Sequence, residues 1–422
     1  MPRLLLDLTP LQTAPFRRSW FGALLTGVGA NLTAVAVGLQ VYEVTGSTFS
    51  VGLVGLFALV PLIAMGLYGG AVVDAMDRRT VIIASALGTL VVAVGFVAQA
   101  AVGNDRVWVL YLLIGAQSGL FGIANPARSA SIPRLLPDRL LPAANALTSL
   151  SFTAGMSVGP LSAGLLISAG GFGAAYLADA VLAAGAVLTL VGLPALAPTG
   201  PVQRAGLESV LTGFRFLATR PNVRMTFTLD LAAMVLAMPR VLFPAMAVLA
   251  LGGGATTVGV LTAAFAIGSM AAGLLSGPLG AVVSQGRAVV LAIVVWGAAV
   301  SGFGVVVAAS PGAPESGVSW LLWPAIGCLV VAGAADAVSA VFRMTILQAA
   351  TPDELRGRLQ GVFVVVVAGG PRLGDVVLGT AAALTAEATT AIGGGLACVL
   401  VVLVVALRQR TFLRYDARMP HA

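Results

Sequence analysis

Long runs of apolar residues recur along this chain with only short polar connections between them. A helix that crosses a membrane needs about 20 mostly apolar residues, because the hydrocarbon layer is about 30 Å thick and each residue rises about 1.5 Å. Twelve segments meet that length, and the sequence therefore predicts an all-α membrane protein with twelve transmembrane helices. The predicted segments are residues 19–42, 50–73, 80–101, 107–128, 145–168, 174–196, 224–248, 256–282, 288–308, 319–343, 358–383 and 388–407.

The composition agrees with a protein that is surrounded by lipid. Hydrophobic residues make up 59% of the 422 residues, charged residues only 9%, and the mean hydropathy is +1.01. Soluble domains carry about 25% charged residues. We therefore expect the lipid bilayer to be the main environment of the side chains.

The arginines predict the orientation. All 23 basic residues are arginine, and 20 of them fall on one side if the N-terminus is placed inside. Loops on the cytoplasmic side retain positive charge. The pattern predicts that both termini are cytoplasmic and that the chain is a multi-pass protein of a bacterial cytoplasmic membrane.

The two halves of the chain are related in sequence. Parallel repeats of six helices are an architecture of secondary transporters, with the substrate site at the interface of the halves. We therefore predict two pseudo-symmetric six-helix bundles, residues 1–197 and 223–422, with a cytoplasmic linker and its amphipathic helix at 198–222. A shift of 215 residues aligns Arg128 with Arg343, Pro137 with Pro352, Asp138 with Asp353, Leu140 with Leu355, Gly155 with Gly370, Gly159 with Gly374, and Gly164 with Gly379.

The inner end of the second segment carries glycines, a carboxylate and paired arginines. Glycines let helices approach closely, and charges at the water interface can bond a neighbouring helix end in one state and release it in another. The pattern resembles the loop motif of the major facilitator superfamily, with Asp77 where the family usually has glycine. The matching positions are Gly70, Asp74, Arg78 and Arg79, and with Arg128 they are expected to form an inner gate.

Small residues and a proline follow one another in the fifth segment. Gly155, Gly159 and Gly164 lie near one helix face, and Pro160 bends the helix. The series resembles the fifth-helix signature of the superfamily, which implies an exporter. Close helix packing explains the glycines equally well.

Four further segments are spread nearly from end to end of the chain: Val41–Thr48, Phe214–Leu217, Arg240–Ala245 and Leu347–Arg358. They resemble one branch of the superfamily, the bacterial enterobactin (siderophore) exporters and their macrolide-efflux relatives. The resemblance implies a major facilitator fold and the export of a small amphiphilic molecule.

Ionisable residues inside the membrane cost about 2.5 to 3.5 kcal/mol on insertion scales and are candidates for function. Asp230 in the seventh segment is the first candidate for proton coupling; a static pair with an arginine of another helix is the alternative. Asp336 is expected to meet another helix, since Arg343 is two turns away. Arg372 and Asp375 are three residues apart and can pair on one helix face.

The remaining polar residues give weaker indications. Arg240 lies within the seventh segment and joins the candidates for coupling or for the substrate cavity. Asn31 lies near the middle of the first segment and is a candidate cavity residue, whereas Asp179 is close to the predicted outer surface and is expected to be wetted.

Several classes of function are disfavoured. The only histidine is His421, no lysine occurs, and no glycine-rich phosphate loop is present. The sequence thus predicts no enzyme, no cofactor, no metal site, no nucleic-acid binding and no ATP-driven transport by this chain alone.

The combined interpretation is a monomeric secondary exporter that uses alternating access and an inward flow of protons. The expected substrate is a small molecule, with a siderophore preferred and drugs or macrolides as the alternative. A non-transporting membrane sensor or scaffold is the alternative of another class, and no residue fixes the direction of transport.

Overall fold

Long helices form almost all of the structure. The computed structural model describes residues 7–196, 215, 217–275, 279, 282–314, 317–349 and 353–415, without the side chains of 67–75, 138, 142, 348–349, 353–365 and 367–368. No strand occurs among the described residues. The main helices are α1 (Ala14–Thr45), α2 (Thr48–Ala75), α3 (Arg78–Ala101), α4 (Val107–Leu135), α5 (Leu141–Leu190), α6 (Pro221–Ala237), α7 (Gly254–Leu274), α8 (Gln285–Ala308), α9 (Leu322–Ala349), α10 (Asp353–Leu384) and α11 (Glu387–Arg408).

Ten helical spans in the described part of the chain are long and apolar enough to cross a membrane. The longest, α5, holds the fifth predicted segment and most of the sixth. Its backbone leaves the helical conformation at Gly170 and at Gly171, where φ is +70° and favours glycine. The eleventh predicted segment lies within α10. The all-α membrane fold is confirmed, and the exact number of twelve crossings stays a prediction.

The seventh predicted segment is broken. After α6 ends at Ala237, Met238 is extended (φ −89°, ψ 97°), and a short 3-10 helix covers Pro239–Leu242. A helical turn at Phe243–Met246 and a π-helical turn at Ala247–Leu251 follow. Proline lacks an N–H group and disfavours helix at the residue before it, so Pro239 accounts for the break. The predicted segment 224–248 thus lies within one of the ten spans, Pro221–Leu251, whose helix is interrupted at this point.

The described residues divide into two compact units. One contains those within Met1–Gln40 and Phe57–Gly206, the other those within Val41–Leu56 and Leu207–Ala422. In the second unit, Trp296 is 1% exposed and packs edge-on against Phe265, with 5.2 Å between ring centroids. The predicted domain boundaries stay predictions, and of the predicted linker at 198–222 with its amphipathic helix only residues 215 and 217–222 are described.

Repeat-related glycines make similar contacts in the two units. In the first unit, Gly155 and Gly159 of α5 lie against the backbone of α1 at Gly27 and Val28. In the second unit, Gly374 of α10 lies against the backbone of α6 at Met234. The 215-residue repeat thus corresponds to a repeated mode of helix packing, in which small residues allow two backbones to approach.

Candidate functional site

Two carboxylates of the second unit share one guanidinium group. Arg343 of α9 forms an ion pair through Nη1 with Oδ1 of Asp230 on α6. Its Nη2 lies 3.5 Å from Oδ1 of Asp336, two turns earlier on α9. The side chains are 9%, 6% and 26% exposed for Arg343, Asp230 and Asp336. We call these three residues the acidic cluster.

The acidic cluster changes two expectations. Asp230 is not an unpaired carboxylate, because the arginine of another helix, considered as the alternative, is present as Arg343. Asp336 lies 3.5 Å from Arg343 of its own helix, and it shares this arginine with Asp230 of another helix. With both carboxylates ionised, the three residues carry one surplus negative charge in a place that water reaches poorly.

A second ion pair joins α10 to the 3-10 helix that follows α6. Arg240 donates from Nε to both carboxylate oxygens of Asp375, at 3.0 and 3.2 Å, and from Nη2 to Oδ2 at 2.6 Å. The side chain of Arg240 is 41% exposed and that of Asp375 is 9% exposed. The break at Pro239 places Arg240 here. The expected pair of Asp375 with Arg372 therefore leaves out a partner, since Arg240 donates to both carboxylate oxygens of Asp375.

Asp375 also lies against α2. A side-chain carbon on Gly52 would stand 2.6 Å from the carbonyl oxygen of Asp375, and one on Gly55 would stand 2.9 Å from its Cβ. Only glycine leaves room for this approach. The Arg240–Asp375 pair therefore sits where α2, α10 and the segment after α6 meet.

The predicted inner gate is described in part. Gly70 and Asp74 lie in α2, and the side chain of Asp74 is not among those described. Arg78 donates from Nη1 to the carbonyl oxygen of Ala130 on α4, at 3.1 Å. Arg79 donates its backbone N–H to Asp77, at 2.9 Å.

Asp77 does more than replace the usual glycine. Its Oδ1 accepts the backbone N–H groups of Arg79 and Leu196, each at 2.9 Å. The first bond caps the N-terminus of α3, and the second holds the chain after α5. The departure from the family pattern thus supplies a helix cap.

Arg128 has a different environment from Arg343, to which the repeat relates it. Its Nη2 lies 3.4 Å from the hydroxyl of Thr26 on α1. Among the described side chains Arg128 thus meets a neutral hydroxyl, whereas Arg343 meets two carboxylates. The two halves are therefore asymmetric at their related arginines.

The fifth-helix motif lies at the contact of α1 with α5. A side-chain carbon on Gly159 would be 2.7 Å from Cβ of Asn31 and 2.8 Å from the carbonyl oxygen of Val28. Pro160 and Gly164 are also buried. Asn31 donates to the carbonyl oxygen of Gly27 on its own helix, at 2.8 Å. Close packing accounts for the glycines, and a cavity role for Asn31 stays a prediction.

Sequence reasoning placed one residue wrongly. Asp179, on the part of α5 after Gly171, is 2% exposed and is not wetted. Its Oδ2 accepts from the hydroxyl of Thr33 at 2.6 Å and from Nε2 of Gln117 at 3.4 Å. Its position near one end of an apolar segment was the signal for exposure. The buried hydroxyl and amide donors on other helices could not be assigned to it from the sequence.

A second polar group lies in the same unit. Gln40 and Gln99 donate to each other's side-chain oxygens at 3.2 Å, and the hydroxyl of Tyr176 donates to Gln40 at 2.7 Å. All three side chains are buried. Buried polar groups of this kind are partnered because an unsatisfied one is costly in a membrane. In the described part of the chain, no group of three or more His, Cys, Asp or Glu side chains could hold a metal ion.

These features define a class: a multi-pass helical membrane transporter with ionisable residues buried between its helices. Residues 6–418 match the model of a family described as transmembrane secretion effectors of the major facilitator superfamily. The chain belongs to this family. It is 30% identical over 409 residues to the enterobactin exporter EntS of Citrobacter koseri, and the match covers 96% of this chain and 94% of that protein.

Solved structures share the fold. The chain is similar to a POT family transporter in complex with 5-aminolevulinic acid, with a TM-score of 0.74, 11% identity, and coverage of 94% of this chain and 96% of that one. It is also similar to a mutant form of the nucleoside transporter NupG, with a TM-score of 0.73, 14% identity, and coverage of 93% and 99%. At these identities the likeness concerns the fold alone. The predicted major facilitator fold is confirmed.

Proposed function

We propose that this protein is a secondary active exporter that moves a siderophore of the enterobactin type out of the cytoplasm in exchange for protons. The observation that carries the proposal is the similarity to enterobactin exporters along nearly the full length of both chains. The protein acts as a monomer in the bacterial cytoplasmic membrane, with both termini in the cytoplasm.

The acidic cluster is the proposed coupling site. With no proton bound, Arg343 attracts both Asp230 and Asp336, and α6 and α9 are held together. When a proton binds to one carboxylate, that carboxylate loses its attraction for the guanidinium group. The free energy that favours this helix contact therefore changes with protonation, which is the property that a coupling site needs.

The other predicted residues are assigned roles in the same transport process. Gly70, Asp74, Arg78, Arg79 and Arg128 form the proposed inner gate. The glycines of the fifth-helix motif allow α1 and α5 to approach closely. These assignments extend the superfamily resemblance to individual residues.

Three residues of the second unit are proposed to line or to support the substrate cavity: Arg240, Arg372 and Asp375. Asn31 of the first unit is separately proposed as a cavity residue. The case is strongest for Arg240. Its side chain is 41% exposed, and its guanidinium group is held in place by the ion pair with Asp375. An arginine held in this way can donate to an anionic or oxygen-rich group of a substrate without losing its partner.

We expect the variant D230N to lose transport driven by a proton gradient while it keeps substrate exchange. Asparagine keeps the size of the side chain but cannot take up a proton, and Arg343 retains Asp336 as a partner. The measurement is uptake of enterobactin into proteoliposomes, with and without a pH gradient. The matched control is D105N, because Asp105 is exposed between α3 and α4. If D230N responds to the gradient as D105N does, Asp230 has no coupling role.

A further inference from the structure

We propose that Asp179 is a proton-binding residue, separate from the acidic cluster. The proposal rests on the proposed proton-driven export for its role in transport. The binding of the proton itself depends only on the surroundings of Asp179 in the first unit. The other buried carboxylates named above lie against a positively charged arginine, whereas the described partners of Asp179 carry no charge.

Asp179 is a buried carboxyl group that has no cationic partner among the described residues. Asp230, Asp336 and Asp375 each lie against an arginine. None of the ion pairs in the described part of the chain includes Asp179. An ionised carboxylate with neutral partners is costly inside a membrane, so binding a proton removes that cost.

The described groups that contact Asp179 are neutral. Thr33 reaches it from α1 and Gln117 from α4, while Tyr176 precedes it on α5. Tyr176 is stacked on Phe96 of α3, and its hydroxyl is used by Gln40. The charged residues of α1, α3 and α4 lie toward the helix ends, at Arg17, Arg18, Glu43, Arg78, Arg79, Arg128 and Arg134.

The two oxygens of Asp179 have different environments. Both hydrogen bonds from Thr33 and Gln117 go to Oδ2, and among the described residues none goes to Oδ1. Oδ2 thus has the contacts of a carbonyl oxygen, and Oδ1 is the position for the proton. Gly29 leaves the space that Oδ1 occupies, because a side-chain carbon there would collide with it.

Proton binding at Asp179 would change the hydrogen bonds that join three helices. In the protonated form, Oδ2 accepts from α1 and α4 as a neutral carbonyl. In the ionised form, both donors are held more strongly, because hydrogen bonds to a charged acceptor are about twice as strong as neutral ones. The hold of α5 on α1 and α4 therefore changes with the proton, in a unit that does not contain the acidic cluster.

The test is infrared difference spectroscopy of the purified full-length protein as a function of pH, without any substrate. The wild type is expected to show a carbonyl stretching band of protonated carboxyl groups, part of which disappears in D179N. That part remains in D230N and in the control D105N. A spectrum of D179N equal to that of D105N at every pH would overturn the proposal.

A second variant covers the case in which D179N does not fold. T33V keeps the carboxyl group and removes one donor, so the part of the band that belongs to Asp179 is expected to shift in frequency. An unchanged frequency in T33V would count against the proposal. Because no substrate is used, these spectra fail or succeed independently of export. A protein that binds the proton at Asp179 and moves no enterobactin would contradict the proposed function alone.

Discussion

Replacement of Arg343 by leucine should destabilise the protein by about 3 to 5 kcal/mol. The change leaves Asp230, whose side chain is 6% exposed, without its cation. Removing one partner of a buried ion pair has this large effect because the other charge stays buried and uncompensated. The measurement is the unfolding of the purified protein in detergent, followed by tryptophan fluorescence against temperature or denaturant.

The double variant R343L/D230N separates the ion pair from simple loss of side-chain packing. It should recover the part of the stability that belongs to the buried Asp230, since only Asp336, which is 26% exposed, is then left without Arg343 and residues in contact show non-additive effects. R106L is the matched control, because Arg106 is exposed in the loop before α4, and we expect it to change stability by no more than about 0.5 kcal/mol. If the double variant is less stable than R343L, the ion pair is not the cause.

Replacement of Gly159 by alanine should have the second largest effect, a loss of about 1 to 3 kcal/mol. The added carbon would stand 2.7 to 3.0 Å from Asn31, Val28 and Leu32 of α1, two of these contacts being with backbone atoms. Backbone cannot move aside as the end of a side chain can, so α1 and α5 must separate. Thermal unfolding of the purified variant measures the loss.

Two further glycine-to-alanine variants serve as comparisons for G159A. G173A adds the same carbon where nothing lies within 4 Å, and it should be neutral or slightly stabilising because alanine favours helix over glycine. G374A should be destabilised like G159A, since the repeat relates the two glycines and Gly374 lies against the backbone of Met234. Equal stability of G159A and G173A would mean that the close approach of α1 and α5 is not needed.

The positions of the helices could be predicted because they depend on a local property. Apolar length and arginine placement require no knowledge of which helix lies beside which. The sequence also contained the signal for the break after α6, since Pro239 follows Met238. The predicted segment ran through this proline because hydropathy averages over about 20 residues and does not register a missing N–H group.

The pairing of the buried charges could not be predicted in the same way. Asp230 and Arg343 are 113 residues apart in sequence, and the partners of a carboxylate depend on helix contacts and on rotation about each helix axis. Asp179 shows the same limit. Its position close to the end of a predicted segment indicated exposure to water. In the structure it is buried and accepts hydrogen bonds from Thr33 and Gln117 of two other helices. The glycines were more informative, because small residues at a spacing of four mark a helix face that packs closely.

Flux of enterobactin into inside-out membrane vesicles tests the central claim most directly. In such vesicles the cytoplasmic face of the membrane is on the outside, so an exporter moves its substrate into the lumen. A proton-driven exporter accumulates the substrate there when the lumen is acidified. We predict accumulation in vesicles that contain the wild-type protein, and its loss when a protonophore removes the gradient. Accumulation no greater than in vesicles without the protein, or accumulation that the protonophore leaves unchanged, would contradict proton-driven export.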